Sequence, residues 1–466
     1  MACESHMRTT YWPLLAAAAW FCSGFSASAF AAPEFTLHEL NSGQPGPTLL
    51  VVGGIQGDEP GGFTAASLLV TKYQITGGNV WVVPNLNFLS IIRNSRGVYG
   101  DMNRKFAELA RADPEFSTVT RIKKLLLDLR IDLIVNLHDG SGWYAPAYQN
   151  SKRNPSQWGQ SIIIDQETVA GSPFGNLIEI ATQMADQANA RITKQAHHFH
   201  VKNTRTWAGD VEMSKSLSYF AVRNHAPALA IEATKSFNTP MRVLHHLYAI
   251  EALMDAIGIS YTRNFDLQVA AVRDVIGENL RMSLYDEKVT LDLANPRKKL
   301  SRFPMPKNKK PMFASSNPLV ALSNDKNMYR VSYGNHKLIT IQPQYVDFDN
   351  GLKMITMTAD GITRRIPIGA IVNIQSEFSV KSDKPYRVDV VGFRGRKNGS
   401  DAGIGISKRD LLQKYSLDKD GSKYRVEFYN GKRFAGMVIV DFSGAGGKIV
   451  SQPAGDILNR GNLTGG

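Results

Sequence analysis

Thr48-Leu49-Leu50-Val51-Val52-Gly53-Gly54-Ile55-Gln56-Gly57-Asp58-Glu59-Pro60 is the stretch that decides the fold. Its first five residues form a short apolar run, too brief for a buried helix, and they read as a buried strand. Gly53, Gly54 and Gly57 then allow a tight turn. Pro60 has no N–H to lose and suits the first turn of a helix, expected over 60–73. Strand, glycine turn and helix together make half of a βαβ unit.

The same rhythm continues as far as residue 261. Further strands are expected over 79–83, 131–137, 161–164 and 228–231, and helices over 115–129, 176–188 and 239–257. The 131–137 strand is apolar on both faces, as a covered central strand requires. This implies an α/β domain over 32–263, a mostly parallel sheet covered by helices. After residue 264 the pattern changes to short strands, at 328–333, 337–342, 352–357, 386–391, 424–429 and 437–442. Gly-Asn, Asp-Asn-Gly and Asp-Gly turns separate them, and Asn430-Gly431 is a strong hairpin signal. Two small all-β modules are expected, over 264–374 and 375–466, joined near 365–378. No fixed-period repeat or low-complexity tract is present.

A chain of 466 residues is too long for one ordinary core. With 43% hydrophobic and 20% charged residues it is not a disordered chain. Arg8 precedes an apolar stretch over 12–25 that is too short to span a membrane, and Ala29-Phe30-Ala31 fits a cleavage site, so 1–31 reads as a signal peptide. Both cysteines, Cys3 and Cys22, fall inside it. A disulfide framework is therefore excluded, and a bacterial periplasm is the expected compartment. The net charge is +13, unchanged by loss of the leader because Glu4 and Arg8 cancel. For an exported protein that charge points to an anionic wall polymer or a membrane surface rather than nucleic acid. Part of it lies in Arg297-Lys298-Lys299 and Lys307-Asn308-Lys309-Lys310, which sit among prolines and read as a solvated loop.

Three strand ends carry reactive side chains: Gln56 to Glu59, His138-Asp139, and Glu232 after Leu229-Ala230-Ile231. In open α/β sheets ligands bind beyond the carboxyl ends of the strands, so the three can converge. Catalytic zinc takes three protein ligands and keeps a position open. Glu59 and His138 are ordinary ligands, and Gln56, one tight turn before Glu59, offers a neutral amide oxygen. Glu232 ends an apolar run and suits proton transfer. A fourth cluster joins Arg93-Asn94-Ser95-Arg96 to Asp101-Met102-Asn103-Arg104. Asn103 and Arg104 could grip a terminal carboxylate, and Arg96, or else Arg93, an oxyanion. His197, His198 and His200 read equally as a surface strand.

These residues resemble the carboxypeptidase A-like zinc peptidases, whose pattern is His-x-x-Glu, an arginine, Asn-Arg, a distant His and a catalytic Glu. The similarity covers roughly 47–262, and the step from Arg96 to Asn103 looks like the compact aspartoacylase-type branch. It implies zinc on Gln56, Glu59 and His138, substrate carboxylate on Asn103 and Arg104, oxyanion on Arg96 and proton transfer by Glu232. The one departure is Gln56, where the family has His. The murein DL-carboxypeptidases of helical bacteria also use Gln there, and also carry a leader followed by β-barrel-like and immunoglobulin-like modules. The family often places a tyrosine over the substrate, for which Tyr144, Tyr148 and Tyr219 are candidates.

The resemblance implies a periplasmic zinc carboxypeptidase cleaving the D-Glu–meso-diaminopimelate bond of uncrosslinked murein tripeptide. Cell-wall or protein contact is expected through the β modules. Two rival readings are a metal-free wall-binding scaffold, which Gln56 favours, and an exported aspartoacylase-like deacylase.

Overall fold

The computed structural model describes residues 34–307, 311–381, 386–395 and 399–444, with the backbone of 449–450 and 459–462. The expected leader, both cysteines and Asn308-Lys309-Lys310 lie outside these residues. No helix among the described residues is long and apolar enough to cross a membrane.

Seven strands form the main sheet, in the order His38–Asn41, Asn79–Val83, Thr48–Val52, Leu133–Gly140, Ala228–Thr234, Ser161–Ile164, His200–Asn203. The four strands from Asn79–Val83 to Ala228–Thr234 run parallel; His38–Asn41 and Ser161–Ile164 each join the sheet antiparallel. Every residue of Thr48–Val52, Leu133–Gly140 and Ala228–Thr234 is buried. That is why they read as continuous apolar runs rather than alternating ones. Helices Phe116–Leu126, Leu177–Ala190 and Thr239–Ile257 lie within a residue or three of the expected bounds. The expected α/β arrangement, a largely parallel sheet with covering helices, is present.

Helix Pro60–Lys72 is covered all round, with ten consecutive residues, Gly61 to Val70, buried. On the sheet side glycine makes the approach possible. A Cβ on Gly62 would stand 2.8 Å from Leu137 O, and one on Gly61 2.3 Å from Asp139 Oδ1. On the other side Phe63, Phe88 and Ile91 pack into a second core of the β region, whose residues run from Leu280 to Ile439. Ser67 Oγ donates to Asn317 Oδ1 at 3.1 Å, and Asn85 Nδ2 to Pro318 O at 2.9 Å. The β region thus docks on the helix that begins beside Glu59.

Beyond residue 280 the described residues form strands and two single-turn 3-10 helices, Lys408–Asp410 and Gln413–Tyr415. Met328–Tyr333 and His336–Val346 pair as a hairpin, joined by Val320–Asp325 on one side and Lys299–Pro306 on the other. This last strand corrects the reading of 297–307 as a solvated loop. Its prolines, Pro304 and Pro306, are tolerated because it is an edge strand, paired in parallel with His336–Val346 alone. Met354–Ala359 and Ile362–Pro367, ahead of the expected join, pack in a third core spanning Leu352 to Val440. Strand Arg433–Asp441 is shared between cores: Met437 and Ile439 face the second, Val438 and Val440 the third. Strand period two delivers this when both faces are apolar.

Gly57 has the least room of the turn residues, since a Cβ would stand 2.0 Å from the Ser90 carbonyl carbon. Backbone on both sides must move to admit one. Gly57→Ala is expected to lower stability by about 3 kcal/mol or more, read as the shift in the denaturant midpoint.

Candidate active site

The strand ends meet as expected. Val52 registers with Asn136, and Glu232 with His138, so these strands leave the sheet at one edge. His138 Nδ1 lies 3.1 Å from Gln56 Oε1 and 3.0 Å from Glu59 Oε2, and all three side chains are buried. A single cleft of ≈ 280 Å³ is lined by this trio and by Arg96, Asn103, Arg104 and Glu232. All seven residues predicted from the sequence are therefore brought together. Of the two candidate arginines, Arg96 lines the cleft and Arg93 does not. Nor do Tyr144, Tyr148 or Tyr219 line it. His197 stacks on Trp143, and His198 Nε2 lies 2.9 Å from Ile192 O, away from the cleft.

Each of the three donors is aimed by a partner outside the trio. Gln56 Nε2 donates to both oxygens of Asp101, at 2.9 and 3.0 Å, which turns Oε1 toward His138. The same carboxylate accepts from Arg96 Nε at 3.0 Å. Glu59 uses Oε1 for Lys235 Nζ, 3.2 Å away, while Oε2 also accepts from the Asp139 N–H at 3.1 Å. His138 Nε2 lies 2.8 Å from Asn136 Nδ2, while Asn136 Oδ1 is buried with no partner. With that oxygen turned to the ring, Nε2–H has an acceptor and Nδ1 presents its lone pair to the other donors.

An imidazole nitrogen, a carboxylate oxygen and a carboxamide oxygen converging at one point suit a divalent cation such as zinc, with room left for a further ligand. Among the described residues no three His, Cys, Asp or Glu side chains form such a group, because the third donor is Gln56. A neutral amide is the weakest of the three. Asp101 compensates by polarising it through both amide hydrogens.

Burial would push the His138 proton off, but the hydrogen bond and charge of Glu59, and the charge of Glu232, raise its pKa above the usual value. Asp101 would be raised by burial, yet Gln56 and Arg96 hold it below the carboxylate range. Glu232 is different. Burial pushes it up to about 8, against the pull of His138 and with the push of Glu59 and Asp139. Its Oε2 is buried without a hydrogen-bond partner.

Sequence reasoning gave no role to Asp101, Asp139, Asn136 or Lys235. Asp139 is wholly buried and accepts from Gly61 N–H at 2.8 Å and Arg242 Nη1 at 3.1 Å; His246 Nε2 lies 3.1 Å from its other oxygen. Arg242 and His246 are four apart on helix Thr239–Ile257 and share a face, a spacing visible in the sequence. Lys235 follows the Glu232 strand at once. Asp101 needed the folded chain, since nothing in its spacing ties it to Gln56.

Comparison with known proteins agrees with this geometry. A family described as carboxypeptidase controlling helical cell shape, catalytic, matches residues 14–277. Another, the C-terminal domain of metallo-carboxypeptidase, matches 348–443. The cell shape determinant protein Csd4 of Helicobacter pylori, solved without ligand and with tripeptide bound, is 37% identical. That match covers 88% of this chain and 100% of Csd4, with a TM-score of 0.82. A form bound to mDAP, described as a D,L-carboxypeptidase, is 38% identical over 87% of this chain and 99% of its own, also at 0.82. No curated protein matches the chain.

Two outcomes follow from the geometry. Asp101→Asn removes one of the two acceptors that aim Gln56, and zinc affinity should fall by about 10–100-fold in a chelator competition titration. The second concerns Glu232 in metal-stripped protein. Its ordinary pKa is 4.5 and its folded value about 8. Between these the unfolded chain has lost a proton that the native state keeps, so stability is lost as pH rises through that window. Glu232→Gln lacks this loss. The Tm of the variant minus that of the parent should grow from about pH 5 to about pH 8; a flat difference would contradict the assignment.

Proposed function

Because the chain belongs to the family of carboxypeptidases that control helical cell shape, we propose that it is a periplasmic zinc DL-carboxypeptidase. Its reaction is hydrolysis of the D-Glu–meso-diaminopimelate bond in uncrosslinked murein tripeptide, leaving dipeptide. One observation carries the reading: Glu232, buried with an unpartnered oxygen, shares a cleft with three convergent metal donors. The tripeptide-bound and mDAP-bound forms of the Helicobacter pylori relative support the substrate.

Zinc on Gln56, Glu59 and His138 would supply a Lewis acid and make a water molecule acidic. Glu232 takes a proton from the attacking water and returns it to the leaving amine, a role its buried, unpartnered oxygen leaves it free to take. Arg96 stands at the mouth, half-exposed and 3.6 Å from Glu59 Oε1, and offers its guanidinium to the developing oxyanion. Asn103 Oδ1 is taken by the Leu217 N–H at 2.9 Å, which leaves its NH2 for a substrate carboxylate. Arg104, steadied by its own bond to Asn103 O, supplies the matching charge. Reading a terminal carboxylate makes the outcome an exopeptidase one. Residues 1–31 would serve as the leader, and the two β modules, 264–374 barrel-like and 375–466 immunoglobulin-like, as the part that meets the wall.

A metal-free scaffold is favoured by the neutral donor Gln56, and zinc analysis of purified protein separates the two readings. Incubation with zinc and muramyl tripeptide should release diaminopimelate. Glu232→Ala should keep the metal while turnover falls by about 10²–10⁴-fold. Bound zinc without diaminopimelate release would sink the substrate assignment.

A further inference from the structure

A groove of ≈ 1330 Å³ lies between edge strand Lys299–Pro306 and the sheet bearing Arg387–Val390 and Lys423–Asn430. Eight Lys and Arg side chains line it against three acidic ones. Each acid is spoken for: Lys307 pairs with Asp347 at 3.2 Å, Arg387 with Asp389 at 2.8 Å, and Arg425 with Glu427 at 3.1 Å. The other five cations have no carboxylate within ion-pair distance among the described residues. Gathering five such charges in one concavity costs free energy that an anionic ligand relieves.

Two features show that the groove is built rather than incidental. Arg425 is only 6% exposed, and its Nε has no hydrogen-bond partner. It sits on the face opposite Tyr424, Val426 and Phe428, which fill the third core. A buried guanidinium with a spare donor is costly unless something accepts from it. Opposite, the edge strand bulges between Leu300 and Phe303, and Arg302 takes a left-handed φ of 52° at the bulge. Bulges of this kind re-aim a side chain. The rim also carries two broad aromatic faces, Tyr345 at 52% and Tyr415 at 46% exposure.

We propose that this groove binds a linear amino-sugar polysaccharide bearing carboxylates, as in an uncrosslinked murein strand. Tyrosine faces suit pyranose rings, guanidinium and ammonium groups suit carboxylates, and the three lining acids can accept from sugar hydroxyls. A duplex DNA backbone has no hydroxyl to offer those acceptors. The groove is several times the volume of the catalytic cleft, which suits a polymer rather than one peptide stem. The identity of the polymer rests on the murein reading above, whereas the groove's charge and shape do not.

The test uses the full-length exported protein and three probes: solubilised uncrosslinked murein strands, neutral chitin oligosaccharide of matched length, and duplex DNA. Wild type should bind the murein strands, less tightly as salt rises, and bind the other two at least about tenfold more weakly. Tyr345→Ala with Tyr415→Ala, and separately Lys414→Glu with Lys432→Glu, should weaken strand binding by about tenfold or more. All four side chains are exposed, so melting temperature and turnover of free muramyl tripeptide should stay unchanged. Strand binding equal in wild type and both variants would overturn the proposal, as would equal or tighter binding of chitin or DNA. Failure of tripeptide turnover in wild type would count against the proposed reaction and leave strand binding as a separate readout.

Discussion

Helix Pro60–Lys72 is wedged between two layers, and the placement of the catalytic residues depends on that wedge. Its glycines let it lie against strand Leu133–Gly140, while Phe63 and Ser67 reach the β region on its far side. Burying Phe63 alone is worth about 1.5–3 kcal/mol. The turn leading into the helix carries Gln56 and Glu59. Holding the helix from both sides therefore fixes two metal donors against the third, His138, which stands on the strand the helix covers. The β region thus acts on the site through packing, whatever else it binds.

Four carboxylates crowd this neighbourhood, and the protein treats each differently. Asp139 is neutralised by Arg242 and backs onto His246. Asp101 is spent on Gln56 and Arg96. Glu59 shares itself between Lys235 and His138. Only Glu232 is left without a hydrogen-bonded cation, and only its proton affinity is driven up to about 8. Environments that push like groups apart are how one fold separates a structural carboxylate from an acid–base one.

The β region follows the same economy of shared elements. Strand Arg433–Asp441 gives one face to each of two cores, so the two cores cannot shift against each other without opening both. The basic groove lies beside this joint, walled by the face of Lys423–Asn430 that turns away from the third core. Rigid walls suit a ligand that is held by charge and by flat aromatic faces.

The local chemistry was legible in the sequence. Apolar runs, glycine turns and Pro60 were enough for the α/β order, because buried parallel strands must be apolar on both faces. Gln56, Glu59, His138 and Glu232 were legible because strand ends concentrate reactive groups on one edge, and Arg96, Asn103 and Arg104 because guanidinium and amide groups that can grip an anion recur in one short cluster. Tertiary structure decided the rest. Asp101 lies forty-five residues from Gln56, and only folding puts its carboxylate on that amide. Lys299–Pro306 read as a loop because its prolines veto a central strand; an edge position, which is a property of the whole sheet, admits them. Arg425 falls in the strand expected over 424–429, where the sequence marks it only as charged. Its burial, its spare donor and the groove it faces exist only because two sheets meet there. Local pattern reports what a residue can do, whereas long-range packing determines which group it does it to.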